Sequence, residues 1–173
     1  MEKKDNLDLV ALEAAKQHMG KVAWPTVVLG FVVAVAYVAT PVLVVMGILP
    51  LLVAVPLVAF LTYASYTVLH DAAHGSISGS NASLRWLNET MGYVAAWIMM
   101  MPLTAHRHEH LAHHRHTNQP EDDPDYIVAD MTRSPFHAIR AGLKMYLGQY
   151  RYYAKNRWNK GQSSQNLYLC LEV

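Results

Sequence analysis

Ten histidines are spread very unevenly along this chain: six lie in "HRHEHLAHHRH", residues 106–116, and His70 and His74 stand together in "HDAAHG". Imidazole is the side chain that titrates near neutrality and the commonest ligand of transition metals, so such crowding points to a pH-sensitive surface or a metal site. Spacing separates the two. His70 and His74 are one helical turn apart on a single face. Successive residues advance about 100° around a helix, so His110, His113 and His114 form a three-nitrogen H-x-x-H-H surface. His106 lies towards the same face with no role assigned, and His108 points to the opposite side. Five convergent imidazoles exceed the three protein ligands of a catalytic zinc, so two ions are expected. Ligand softness suits iron, copper, nickel and zinc alike.

Carboxylates accompany both groups. Asp71 and Asp125 are the candidates for accepting the distal ring N–H of a ligand histidine, fixing its tautomer; Glu121, Asp122 and Asp123 are weaker ones. His18 and His137 read as solvated or interfacial residues, and His108 and His116 as surface ones. Cys170 is the only cysteine, which excludes a disulfide framework, a cysteine-rich zinc site and an iron–sulfur cluster built from this chain alone. Any transition metal must therefore be held by nitrogen and oxygen.

The elements that position these residues follow from charge. Residues 22–69 contain no Asp, Glu, Lys, Arg or His, a run more than twice the roughly 20 residues needed to cross a hydrocarbon core about 30 Å thick. It is also too long for a signal peptide core of roughly 7–15 residues. A two-span helical hairpin fits, because helices satisfy their own backbone groups in lipid, with the turn near "TPVLVVMGILP". Residues 1–21 read as an amphipathic segment on the membrane surface. Basic residues flank the hairpin and dominate after position 130, which places that side in the cytoplasm. The apolar stretch 90–105 is short and interrupted by Pro102. For the two histidine groups to share one side it must be re-entrant or interfacial. The tyrosines and basic residues of 135–158 suit a helix at headgroup level. The expected fold is all-α: an integral membrane hairpin at 22–69, then a cytoplasmic and interfacial part at 70–160 carrying the histidine metal site, then the start of a further membrane segment at 161–173.

"HDAAHG" at the end of a membrane span, followed by "HLAHHRHTNQPEDDPD", resembles the membrane fatty acid desaturase family, whose relatives include carotenoid hydroxylases and ketolases. The resemblance implies a non-haem centre of two iron ions, with dioxygen as co-substrate, that removes hydrogen from an unactivated C–H bond of a lipid chain. Carried over by position, the metal ligands are His70, His74, His110, His113 and His114. The preferred activity is fatty acyl desaturation on a membrane lipid or acyl substrate, with carotenoid oxidation the runner-up. The chain has no flavin, nicotinamide, haem or cluster motif, so an external electron donor of ferredoxin, rubredoxin or cytochrome type is expected. No nucleic-acid partner is. The family's third histidine box has no counterpart, since no histidine follows His137; the expectation is a chain incomplete before that box and inactive alone.

Two readings of other classes compete. "HDAAH" resembles the H-E-x-x-H helix of zinc hydrolases with Asp71 in place of the general base, but that mechanism has no use for the ligands at 110–114. A non-catalytic metal-binding membrane protein uses the same histidines without oxidising anything.

Overall fold

The computed structural model describes residues 2–16, 20–158, 160 and 163–172, and these are helical with no strand among them. His18 and parts of the boundary segments 1–21 and 161–173 lie outside the described residues.

Helix α1 spans Glu2–Lys16 and is followed by α2 at Trp24–Val45. Pro25 sits in the first turn of α2, where its missing N–H costs nothing. A turn at 46–50, with Gly47 at φ 71°, leads into α3, Leu51–His74. Pro41, expected at the turn, lies inside α2. Both helices are long and apolar enough to cross a membrane, with mean hydropathy of 2.5 and 1.9. Val28, Phe31, Val35, Val42, Leu52 and Phe60 stay at least half exposed along the pair, which is the distribution a lipid-facing surface requires. α3 ends where Gly75 takes the left-handed conformation at φ 70°, the usual stop signal of a helix. The two ends of the hairpin meet. Ala23 N–H donates to Ile77 C=O at 3.0 Å and Ser80 N–H to Gly20 C=O at 3.1 Å, so the start of α2 and the end of α3 share one side.

The stretch 90–105 is a helical reversal. α4, Arg85–Met99, follows a short 3-10 turn at Ala82–Leu84 and runs inward along α2 and α3. Its Ile98 packs with Val33 and Leu61, and Trp97 meets Tyr37 edge-on at 5.8 Å. At about 1.5 Å per residue, Leu61 lies roughly 20 Å along α3 from His74, so α4 reaches the middle of the hairpin without crossing it. Met100 then adopts φ 53° and Pro102 starts α5, Leu103–His116, which returns alongside α3. This is the re-entrant arrangement expected if the histidine groups cooperate. The reversal packs on the core formed by Val68, Leu69, Ala72, Ile77, Ala95, Ala96 and Leu103.

Two polar devices lock it. Arg107 pairs with Glu89 at 3.0 Å and donates to the Ala72 carbonyl at 3.1 Å, tying α5 to α4 and to the end of α3. Asn88, buried, donates to the same carbonyl and accepts from Ile77 N–H. After a 3-10 segment at Tyr126–Thr132, α6 (Pro135–Asn156) is capped by Ser134, whose Oγ accepts from His137 N–H. α6 exposes Phe136, Ile139, Leu143 and Leu147 as one apolar stripe, as an interfacial helix does. α7, Ser163–Glu172, packs on α5 and α6, its Leu169 clustering with Ala105 of α5 and the fully buried Tyr153 of α6. Glu172 caps the start of α5 by accepting from Thr104 N–H and Oγ1.

Candidate metal centre

α3 and α5 run side by side in the same direction, so their i, i+4 ladders face each other in register. His70 faces His110, with ring centroids 4.6 Å apart, and His74 faces His114 at 4.7 Å. One ligand atom from each of His70, His74, His110 and His114 lies within 4.8 Å of every other. His110 is at the centre: its Nε2 is 3.1 Å from Nε2 of both His74 and His114. A ring nitrogen carries either one proton or one lone pair, so such a trio has no complete set of hydrogen-bond partners within itself. A cation satisfies all three. Metal–imidazole bonds of about 2.0–2.1 Å put two nitrogens on one ion roughly 3–4 Å apart, which matches these separations. The residues present therefore fit a transition metal.

The carboxylates set tautomers. Asp123, buried, lies 2.7 Å from His113 Nδ1. An ionised carboxylate only accepts, so Nδ1 carries the proton and Nε2 is left as the lone-pair nitrogen. Burial would raise the Asp123 carboxyl, but the hydrogen bonds from His113 and from the N–H groups of Asn118 and Asp125 bring it below its ordinary range. Asp71 accepts from Thr26 Oγ1 at 2.7 Å, and its other oxygen is 3.4 Å from His70 Nδ1. Asp125 is 3.9 Å from His113 Nδ1; burial raises its carboxyl.

Four of the five ligand candidates thus come together, and the fifth stands beside them. His113 is turned towards Asp123, its ring 6.3 Å from that of His110, because position 113 is rotated away from the 106–110–114 ladder. His108, expected at the surface, is half-buried, with Nε2 3.1 Å from Gln165 Oε1 and its ring against Tyr153. The pairing of α5 with α6 and α7 covers it. His116 and His137 remain partly exposed with local partners, Gln119 and Ser134.

Asp123 carries more than its place in a turn sequence suggests, and Glu109 and Asn88 are site residues that spacing did not single out. Glu109 is 4% exposed, and burial, with Asp125 nearby, pushes its carboxyl up to about 8. Its signal was a carboxylate one turn before His113 on the ligand helix. Burial pushes His106 down to about 4, with His70 and His74 adding to the effect. It pushes His110 down to about 3, with the surrounding histidines adding to it. Both rings are held neutral, the form that binds metal.

Residues 46–170, well over half of the chain, match the family model described as fatty acid desaturase. The chain belongs to the fatty acid desaturase family. Comparison with curated proteins and with solved structures found no match. Two membrane-length helices, a re-entrant pair and a histidine cluster at one end of the hairpin are thus the frame that this desaturase-family chain provides.

Proposed function

We propose that this protein takes part in oxygen-dependent oxidation of a lipid hydrocarbon chain, with fatty acyl desaturation as the reaction and iron as the metal. The observation that carries this reading is the convergence of His70, His74, His110 and His114 within 4.8 Å at the end of a membrane-length helix, in a chain of the desaturase family. The roles divide by position. His70, His74, His110 and His114 hold iron, and His113 joins them through Nε2 while Asp123 orients it. Asp71, fixed by Thr26, orients His70 in the same way. Iron bound there supplies the activation of dioxygen that no amino-acid side chain provides. The protein supplies neutral, oriented imidazoles, and an apolar hairpin beside them from which a lipid chain is presented without passing through water. Electrons come from an external donor of ferredoxin, rubredoxin or cytochrome type. The basic flanks support a cytoplasmic position for the centre.

The test is iron content and lipid products in membranes from cells expressing the full chain or its His110→Ala variant. Bound iron, lost in the variant, is expected of the chain alone, and oxidised lipid, lost in the variant, where a third histidine box is supplied to complete the ligand set. Iron bound with no change in lipid even when that box is supplied would favour a non-catalytic metal-binding protein, and absence of iron would remove the reading.

A further inference from the structure

The ladder on α5 does not begin at His110. His106 precedes it by one turn, giving H-x-x-x-H-x-x-x-H at 106, 110 and 114, opposite Y-x-x-x-H-x-x-x-H at 66, 70 and 74 on α3. The register continues to that first rung: Tyr66 and His106 face each other with ring centroids 6.0 Å apart. His106 is stacked on His110 at 5.2 Å with an interplanar angle of 17°. It is 6% exposed, and its buried Nε2 has no hydrogen-bond partner among the described residues. Every other histidine of α5 has a partner for one ring nitrogen: Gln165 for His108, Asp123 for His113, Gln119 for His116, and the cluster itself for His110 and His114. A buried polar atom left unpaired loses its hydration with nothing in return. A histidine serving only as packing needs no bare nitrogen at the edge of a metal-binding cluster, where Phe or Leu fills the same space.

We propose that His106 is a further metal ligand, supplying Nε2 from the inner, hairpin side of the centre formed by His70, His74, His110 and His114. This rests on the metal-centre reading above. It adds an imidazole that the H-x-x-H-H spacing does not include, and it extends the donor set towards the middle of the hairpin, on the side from which a lipid chain approaches.

The test uses the full chain in detergent, titrated with Co2+ and followed by the visible ligand-field bands. His106→Phe retains the ring stack and removes both nitrogens; His106→Gln retains polarity and removes the imidazole. Both are expected to weaken Co2+ binding at least tenfold and to shift the bands, with helix content unchanged by circular dichroism. His108→Phe, which breaks a hydrogen bond outside the cluster, should leave the bands in place. Wild-type affinity and bands in either folded His106 variant overturn the proposal. His110→Ala separates the two levels of the argument: if it abolishes binding while the His106 variants do not, only His106 is misassigned, and if it too binds normally, the centre itself is. Should both His106 variants misfold, anomalous diffraction from the Co2+-loaded wild type decides. An ion about 2.1 Å from His106 Nε2 supports the assignment, and one beyond roughly 3 Å, outside bonding range, removes it.

Discussion

At the scale of single residues, the bond from His113 to Asp123 connects the chemistry of the centre to the loop that follows α5. Asp123 accepts three hydrogen bonds, from His113 Nδ1, Asn118 N–H and Asp125 N–H, so it fixes the imidazole and the turn together. Replacing it by Asn removes the charge that orients Nδ1–H, and losses of this kind lower metal affinity about 10–100-fold. Asp123→Asn should therefore weaken Co2+ or Fe2+ binding by at least tenfold, whereas His137→Ala, outside the cluster, should not; isothermal titration of the two variants checks this. Protonation supplies a second expectation. His106 and His110, with folded values of about 4 and about 3 against an ordinary 6.5, stay neutral in the fold while the unfolded chain takes up protons below pH 6.5. Glu109, with a folded value of about 8, works in the opposite sense. Stability of the metal-free protein should thus be highest near pH 6.5 and fall as pH rises towards 8. It should also fall as pH drops from 6.5 towards 4, where the two histidines outweigh the one carboxyl. Thermal melts across that range would show it, and a melting temperature that rises on acidification below pH 6.5 would contradict it.

At the scale of elements, the site depends on how closely α4 approaches α3 and α5. A Cβ on Gly92 would stand 2.7 Å from Ala72 Cβ and 2.8 Å from Leu103 Cδ2, so no larger residue fits without parting the helices. Gly92→Ala should cost about 1–3 kcal/mol, as overpacking does, and should weaken metal binding because Ala72 and Leu103 belong to the ligand helices. Gly142, on α6, has nothing within 4 Å of the same position. Gly142→Ala should be neutral or stabilising by roughly 0.4–1 kcal/mol, and melting curves of the two variants test the contrast. This level also shows what the sequence made legible. The hairpin was readable because the uncharged run 22–69 has no soluble alternative, and the facing of 70/74 with 110/114 because i, i+4 spacing fixes a face whatever surrounds it. The rest depends on neighbours distant in sequence. Asn88 reads as an ordinary polar residue until Ala72 and Ile77 are seen against it. His108 reads as exposed until α6 and α7 cover it, and the partner that orients His113 is hidden until the turn at 117–125 brings Asp123 to its ring.

At the scale of the whole molecule, the contacts restrict which residues share a side of the membrane. Lys21 adjoins the hydrogen bonds joining Gly20 to Ser80 and Ala23 to Ile77. His74 and His110 touch at 3.1 Å. Lys155 lines a cleft with His116, Glu121 and Asp122, so it belongs to the same end. If α2 and α3, each of membrane length, cross once while α4 turns back at Met100, all four positions are reached from one face. The positive-inside bias makes the cytoplasmic side the expected one for that face. Cys170 is exposed, so the background is first made Cys170→Ser. Single cysteines at 21, 74, 110 and 155 are then treated in intact cells with an impermeant maleimide, before and after permeabilisation. All four should label only after permeabilisation, with 110 slowest because it is buried. Labelling of all four in intact cells would reverse the orientation and leave the centre whole. Labelling of positions 74 and 110 from opposite faces would mean that α4 crosses the membrane, and His70 and His74 would then share no metal with His110 and His114.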